Sequence, residues 1–318
     1  MSEIKTISVI VPLFNEAENI ELLLAKIDSV LLSIAYDYEI LIVNDGSIDN
    51  SEEVLNKARS KYKKLKIINF KRNFGQTAAI MAGFDNAKGD VVVTIDADLQ
   101  NDPNDISRLI AKIKEGYDVV SGWRKDRQDH KFKRNFLSKV ANQIISFVTG
   151  LNLHDYGCTL KAYRKSYIKS IKLYGEMHRF IPFYTHLAGA KVAEIVVSHH
   201  KRIHGHSKYG MERIFKVIMD LMVIKFLDRY LKKPIYLFGG IGLILFACSF
   251  FSIVLAIFLK LYKSVYLIQT PLPLFSAMTF ITAVMCFLMG FLAEMIMRTY
   301  FESQDKKSYI IKDVIENS

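Results

Sequence analysis

The chain has 318 residues, 51% of them hydrophobic, and 43 Lys and Arg against 32 Asp and Glu give a net charge of +11. So much apolar content excludes a disordered chain, and three cysteines with no Cys-x-x-Cys pair argue against a disulfide scaffold or a thiolate zinc site. The basic balance admits nucleic acid, phosphorylated substrates or an anionic membrane surface as partners.

In chain order, Ile7 to Val11 reads as a buried strand closed by Pro12, and Glu16 to Leu32 has helical apolar spacing. Glu39 to Val43 is a second strand, Asn50 to Tyr62 a helix, and Lys66 to Phe70 a third strand. Gly75 to Ala87 is a helix rich in small residues, Val91 to Ile95 the fourth strand, and Asp118 to Ser121 the fifth. Near-continuous Val/Ile strands between amphipathic helices predict an α/β domain with a parallel sheet covered on both faces. In such a sheet, ligands bind beyond the carboxyl ends of the strands. Neither GxGxxG after the first strand nor GxxxxGK[ST] occurs, which argues against a dinucleotide oxidoreductase and a P-loop nucleotidase.

Two later runs lack charge altogether: Ile235 to Leu259, 25 residues, and Pro273 to Ala293, 21 residues. At about 1.5 Å per residue either helix crosses a hydrocarbon core about 30 Å thick. The alternative, a pair of buried core helices, rarely stays uncharged for so long. Lys225, Arg229, Lys232 and Lys233 precede the first run, and Arg298, Lys306 and Lys307 follow the second. Only Lys260 and Lys263 lie in the connection, so the positive-inside rule puts both termini in the cytoplasm. The polar start, Met1 to Thr6, shows no cleavable signal. The expected layout is a cytoplasmic domain over residues 1–233, a two-helix hairpin over 234–298 and a cytoplasmic tail over 299–318.

The strand ends carry the chemistry. Pro12-Leu13-Phe14-Asn15-Glu16 follows the first strand, Asn44-Asp45-Gly46-Ser47 the second, Arg72-Asn73 the third and Asp96-Ala97-Asp98-Leu99-Gln100 the fourth. Asp96 and Asp98 alternate at a strand end, so their carboxylates can share a side. Hard oxygen ligands so spaced suit Mg²⁺ or Mn²⁺ bridging phosphates. Solvated acids in a turn are the plainer reading of an isolated Asp-x-Asp. The second acidic turn at Asp45 favours the metal.

These turns resemble the family 2 glycosyltransferases of GT-A fold, and more closely the polyprenyl-phosphate glycosyltransferases, which include dolichol-phosphate mannosyltransferases and bacterial undecaprenyl-phosphate sugar transferases. The shared segments are Arg72-Asn73-Phe74-Gly75-Gln76, Ile80 to Phe84, Asp155-Tyr156-Gly157-Cys158 and His204 to Lys208, and the resemblance extends through both apolar runs. It implies that Pro12, Phe14 and Glu16 line the nucleoside site with Asp45 on the base, and that Asn73 and Gln76 also meet substrate. It implies that Asp96, Asp98 and Gln100 hold the metal on the donor diphosphate. Arg124, Arg134 and Ser138 match residues that grip the acceptor phosphate, and Lys208 a basic residue near the phosphates. The partners implied are a nucleotide sugar, UDP-linked before GDP-mannose, and polyprenyl phosphate in the inner membrane, without nucleic acid.

The residues support these roles separately. Arg124 follows the fifth strand, and Arg134 and Ser138 are four apart, on one helix face. An Arg with a hydroxyl suits a phosphate monoester. The stretch of about 131–149 carries an apolar stripe with Lys131, Lys133 and Lys139 opposite it, as an interfacial helix on anionic lipid requires; about 211–230 is a second candidate. Trp123 reads as a buried ring before a stacking platform, and His199, His200, His204 and His206, without Cys or carboxylate company, as a polar loop before a zinc site.

The reaction expected is an inverting one. A lipid phosphate, with its second pKa about 6, is already an anion and needs no general base. A processive polysaccharide synthase is the nearest alternative, but the lone Trp123 precedes Arg124 instead of closing Gln-x-x-Arg-Trp, and there are two apolar runs. A non-catalytic scaffold of the same fold is a third reading, opposed by intact Asp45, Asp96, Asp98, Arg124 and Arg134. The tail segment Ser308 to Ile315 is short and β-prone, and should seek a sheet edge. Its own sheet and a neighbour's are both candidates, and the resemblance favours the neighbour, within a homotetramer.

Overall fold

A computed structural model describes residues 3–125, 146, 150–169, 171, 173, 177–201, 235–263, 266–303 and 311–315. The chain divides into two compact units, residues 1–220 with 307–318, and residues 221–306.

The first unit is built on eight described strands: β1 (Thr6–Leu13), β2 (Asp37–Asn44), β3 (Leu65–Phe70), β4 (Val91–Thr94), β5 (Val119–Trp123), β6 (Lys161–Arg164), β7 (Val192–Val196) and β8 (Ile311–Ile315). Their order across the sheet is β7-β5-β6-β4-β1-β2-β3-β8. β1, β2, β3 and β4 pair in parallel, as do β5 and β7. The sheet is nevertheless mixed where an all-parallel one was expected. β6 runs antiparallel between β4 and β5, and β8 antiparallel to β3. Because β6 opposes both neighbours, β5 and β7 still run in the direction of β1 to β4. The carboxyl ends of all six therefore lie on one edge, together with the start of β6.

Helices cover both faces. On one lie α1 (Ile20–Ser33), α2 (Ser51–Lys61) and α4 (Asp105–Lys114). The apolar stripe of α1 consists of Leu23, Leu24, Ile27 and Leu31, all buried against Ile7, Val9, Val11, Ile40 and Ile42. The other face carries α3 (Gln76–Asn86), whose Ala78, Ala79 and Ala82 pack with Ile10, Leu41 and Ile68. A side chain at Gly83 would fall on Ile10, so the small residues of this helix are what lets it sit close to the sheet. Two short helices, α5 (Lys165–Ile168) and α6 (Ile181–Leu187), follow β6. α4, β6 and β7 are additional to the elements expected from the sequence.

β8 is the strand expected of the tail, but it adds to β3 of its own chain, with Ile67 opposite Ile315 and Asn69 opposite Asp313. The β3 edge, buried along its whole length, offers unpaired backbone groups to the first strand that arrives.

The second unit holds α7 (Ile235–Lys263) and α8 (Leu272–Ser303), packed on each other. Both contain windows long and apolar enough to cross a membrane, Leu237–Lys263 and Leu272–Ala293. In the most apolar 18-residue stretch of each, only 17% and 22% is buried, whereas a soluble core helix would be mostly covered. Phe250, Phe251, Leu261, Leu274, Phe275 and Phe291 face outward. Between the helices, the Ser249 hydroxyl donates to the Ser276 carbonyl at 2.8 Å and the Ser276 hydroxyl to the Ser249 carbonyl at 2.9 Å. This reciprocal pair fixes their register from within an apolar interface.

Candidate active site

The first three strand ends form one interlocked surface. Leu13 pairs with Asn44, and the Asp45 amide donates to the Leu13 carbonyl at 2.8 Å. Beyond it, the Asn15 amide donates to Ser47 Oγ (2.9 Å) and the Ile48 amide to Asn15 Oδ1 (2.8 Å). Asn15 takes a left-handed conformation, φ 52°, to make this turn. Pro12 is buried in β1, while Phe14 and Glu16 are half-buried. Glu16 accepts from Asn19 Nδ2 at 2.7 Å.

Asp45 is buried, and its carboxylate accepts the amides of Phe74 (2.7 Å) and Gly75 (2.9 Å). Burial raises its pKa and the two amides oppose the rise. Gly46, at φ 64°, lies so close to the Arg72 backbone that a side chain there would overlap it. Asp45 is thus a brace that binds the loop after β3 to the end of β2. Asn73 is exposed on that loop, and the Arg72 guanidinium lies 4.6 Å above the Phe74 ring.

β4 delivers Asp96 and Asp98. Gln76, opening α3, donates through Nε2 to Asp96 Oδ1 at 2.8 Å. Burial and then the neighbouring Asp98 push the Asp96 carboxyl up to about 6. Asp98 Oδ1 accepts the Gln100 amide at 3.2 Å. Between them Leu99 is buried at φ 59°, a conformation a bulky residue seldom adopts; it turns the chain sharply after the second carboxylate. The Gln100 side chain donates through Nε2 to the His200 carbonyl at 3.4 Å, and the Gln100 carbonyl accepts the His200 amide at 2.8 Å. Gln100 supports Asp98 by its amide and ties its own segment to that of His200 by its carbonyl and its side chain. His200 in turn bonds Asp102 at 3.1 Å, and Asn101 bridges to His199, so these two histidines zip a loop.

Two carboxylates with an amide beside them fit a divalent cation that brings phosphate oxygens with it. Mg²⁺ is commonly held by one or two carboxylates plus substrate phosphates. Among the described residues there is no cluster of three or more His, Cys, Asp or Glu side chains for a closed, all-protein site. A bound cation would offset both the burial and the repulsion from Asp98 that raise Asp96.

Arg124 emerges from the end of β5 and meets Asp155. Its Nε and Nη2 donate to the two carboxylate oxygens at 2.7 and 3.0 Å, with both side chains nearly buried. Burial works against the guanidinium charge, but Asp155, Cys158 and Asp96 together outweigh it and raise the pKa. Asp155 also accepts the Gly157 amide at 3.0 Å. One edge of the guanidinium is therefore held by protein. Close by, the buried Lys161 donates to the carbonyls of Tyr156 (3.1 Å) and Cys158. Burial lowers its pKa. The Thr94 hydroxyl donates to the Thr159 carbonyl at 2.6 Å, and Gln76 Nε2 reaches Thr159 Oγ1 at 3.4 Å. His178 Nδ1 meets the Thr77 hydroxyl at 2.8 Å. Sequence reasoning had no role for Lys161, Thr159 or His178; only Asp155-Tyr156-Gly157-Cys158 signalled that this loop mattered. Trp123 is half-buried and stacks on His154, with ring centroids 4.1 Å apart and planes at 15°.

The structure thus brings Asp45, Gln76, Asp96, Asp98, Arg124 and the Pro12–Glu16 turn to one sheet edge. Arg134, Ser138 and Lys208 lie outside the described residues, as do both expected interfacial helices apart from Ser146.

Residues 8–172 match the sequence profile described as Glycosyl transferase family 2. The chain is 38% identical over 318 residues to the dodecaprenyl-phosphate galacturonate synthase of Rhizobium johnstonii, covering 98% of this chain and 93% of that one. It is 36% identical over 326 residues to the undecaprenyl-phosphate 4-deoxy-4-formamido-L-arabinose transferase of Edwardsiella ictaluri, covering 99% and 97%. In fold it is similar to the glucosyl-3-phosphoglycerate synthase of Mycobacterium tuberculosis, solved with Mn²⁺, UDP and phosphoglyceric acid. That match has a TM-score of 0.53 at 17% identity, over 71% of this chain and 78% of that one.

Proposed function

The chain belongs to glycosyl transferase family 2, and from that premise we propose that it transfers a sugar from a nucleotide-sugar donor to a polyprenyl phosphate, with inversion at the anomeric carbon. The observation that carries this is the carboxylate pair at the end of β4, in a chain that also holds two helices of membrane-crossing length. The near full-length likeness to two enzymes named for polyprenyl-phosphate sugar transfer supports it. The product would serve envelope glycan or lipid A modification.

In this reading the turns after β1 and β2 and the loop braced by Asp45 receive the nucleoside. Asp96 and Asp98 hold Mg²⁺ or Mn²⁺, which would supply charge neutralisation on the leaving diphosphate. Gln76 keeps Asp96 turned toward the site. Arg124, oriented by Asp155, meets the acceptor phosphate with Arg134 and Ser138, and Lys208 adds positive charge near the phosphates. Two anions must approach one another for the reaction, and the guanidinium groups offset their repulsion and fix their geometry. The phosphate oxygen then attacks opposite the leaving group. The hairpin lies in the inner membrane with both termini cytoplasmic, since the acceptor tail stays in the bilayer. A homotetramer remains part of the proposal.

Supplying purified protein with undecaprenyl phosphate and a panel of UDP- and GDP-sugars tests this. Formation of a lipid-phosphate-linked sugar from one donor is expected. Extended polymer would instead indicate a synthase, and absence of transfer from the whole panel would indicate a scaffold.

A further inference from the structure

Glu194 lies on the edge strand β7, in register with Ser121 of β5, and no sequence motif singles it out. Its side chain is only 10% exposed. One carboxylate oxygen accepts the backbone amides of His154 and Asp155, both at 3.0 Å. The other accepts the His154 amide at 3.1 Å and the ring Nδ1–H at 2.7 Å. Consecutive peptide groups are thus held in one orientation, and the His154 ring is fixed between Glu194 and Trp123. The next side chain, that of Asp155, takes the Arg124 guanidinium with both oxygens.

We propose that Glu194 is a positioning residue for Arg124, acting through the His154–Asp155 turn. The inference rests on the reading above, in which Arg124 meets the acceptor phosphate. Stability alone does not call for such a series of ionisable groups. Well-packed apolar residues usually serve a fold as well as a buried ion pair. What the series does provide is a guanidinium whose plane is set, and phosphate recognition by Arg depends on that plane. Moving the turn would tilt Asp155 and swing the fork of Arg124 off its target while leaving the donor turns, on β1 to β4, in place.

Trp123, the only tryptophan, sits beside this turn and reports on it. The full-length protein in detergent is titrated with farnesyl phosphate by Trp123 fluorescence, and with Mn²⁺-UDP by calorimetry, for the wild type, Glu194→Ala, Glu194→Gln and Arg124→Ala. Glu194→Ala should weaken farnesyl phosphate by about tenfold or more while Mn²⁺-UDP stays within about threefold. Glu194→Gln, which keeps an oxygen for the backbone amides, should recover most of the loss. If Arg124→Ala weakens farnesyl phosphate and neither Glu194 variant does, the inference fails and the assignment of Arg124 stands. If Arg124→Ala also binds it normally, that assignment fails and takes the inference with it. Parallel loss of both ligands in Glu194→Gln, with a lowered thermal midpoint, would make Glu194 a stabilising residue only. That result also overturns the proposal and covers the case of Glu194→Ala failing to fold.

Discussion

Asp45 can be told apart as a base contact or a brace by two substitutions. Its two oxygens accept the Phe74 and Gly75 amides from within the protein. Asp45→Ala removes both acceptors. A hydrogen bond to a charged group contributes about 1.5–3 kcal/mol net. Removing the buried charge returns some of this, because burial opposes ionisation of Asp45. The expected loss is about 3 kcal/mol for Asp45→Ala, and about 1 kcal/mol for Asp45→Asn, which keeps one oxygen and sheds the charge. For a domain of this size that corresponds to a fall in the thermal midpoint of about 6–12 °C and about 2–4 °C. UDP affinity should fall in the same order, since the freed Arg72–Gly75 loop no longer lies against the β2 turn. Differential scanning calorimetry and UDP titration of the detergent-solubilised protein measure both. A variant that loses UDP affinity at an unchanged midpoint would refute the brace and favour direct contact with the base.

Asp98→Ala should lower transfer by about a thousandfold while the protein stays folded and membrane-bound, the size expected for lost charge stabilisation at a leaving group; full activity in EDTA would refute the metal role. Asp96, pushed up to about 6, binds a proton as pH falls through that value, and the proton competes with the cation. Mn²⁺ affinity should therefore weaken by about tenfold between pH 7 and pH 5, and calorimetry showing the same affinity at both would contradict this. Arg134→Ala should raise the KM for the lipid acceptor by about tenfold with little change for the donor; equal losses would move Arg134 to the donor side. Deleting residues 303–318 should lower the thermal midpoint by about 5 °C through loss of β8 from the β3 edge. A shift from oligomer to monomer at an unchanged midpoint would mean that the strand belongs to a neighbouring subunit.

The strands that carry the donor turns were legible because they are buried on both faces and read as unbroken apolar runs: Ile7 to Val11, Ile40 to Val43, Val91 to Val93. β6 was not, because Lys161-Ala162-Tyr163-Arg164 has no apolar run, and its Lys161 is buried only by virtue of the carbonyls it meets. β7 is a half-covered edge strand with Glu194 at its centre, which local pattern cannot tell from a loop. α4 was readable from Ile106, Leu109, Ile110 and Ile113. In the site, the residues at strand ends could be named from position alone. Their partners could not: Gln76 with Asp96, Asp155 with Arg124 and Gln100 with His200 are 20, 31 and 100 residues apart. The turn of the Gln100 side chain toward His200 likewise follows from a bridge that only the folded chain makes.

The reversed strand β6 divides the sheet into two halves that carry different parts of the proposed site. On one side β1 to β4 carry every turn assigned to the nucleotide; on the other β5 and β7 carry Arg124 and Glu194. Thr94 and Ser121 both stand opposite Lys161, so the halves meet at this one strand. Such a seam permits modular evolution. The β5–β7 half can be rebuilt for a new acceptor while the β1–β4 half keeps its nucleotide, provided that Lys161 and Thr159 hold the join. Because β5 precedes β6 in the chain, chimaeras between relatives with different acceptors would then be cut between β4 and β5, so that Arg124, Asp155 and Glu194 travel together.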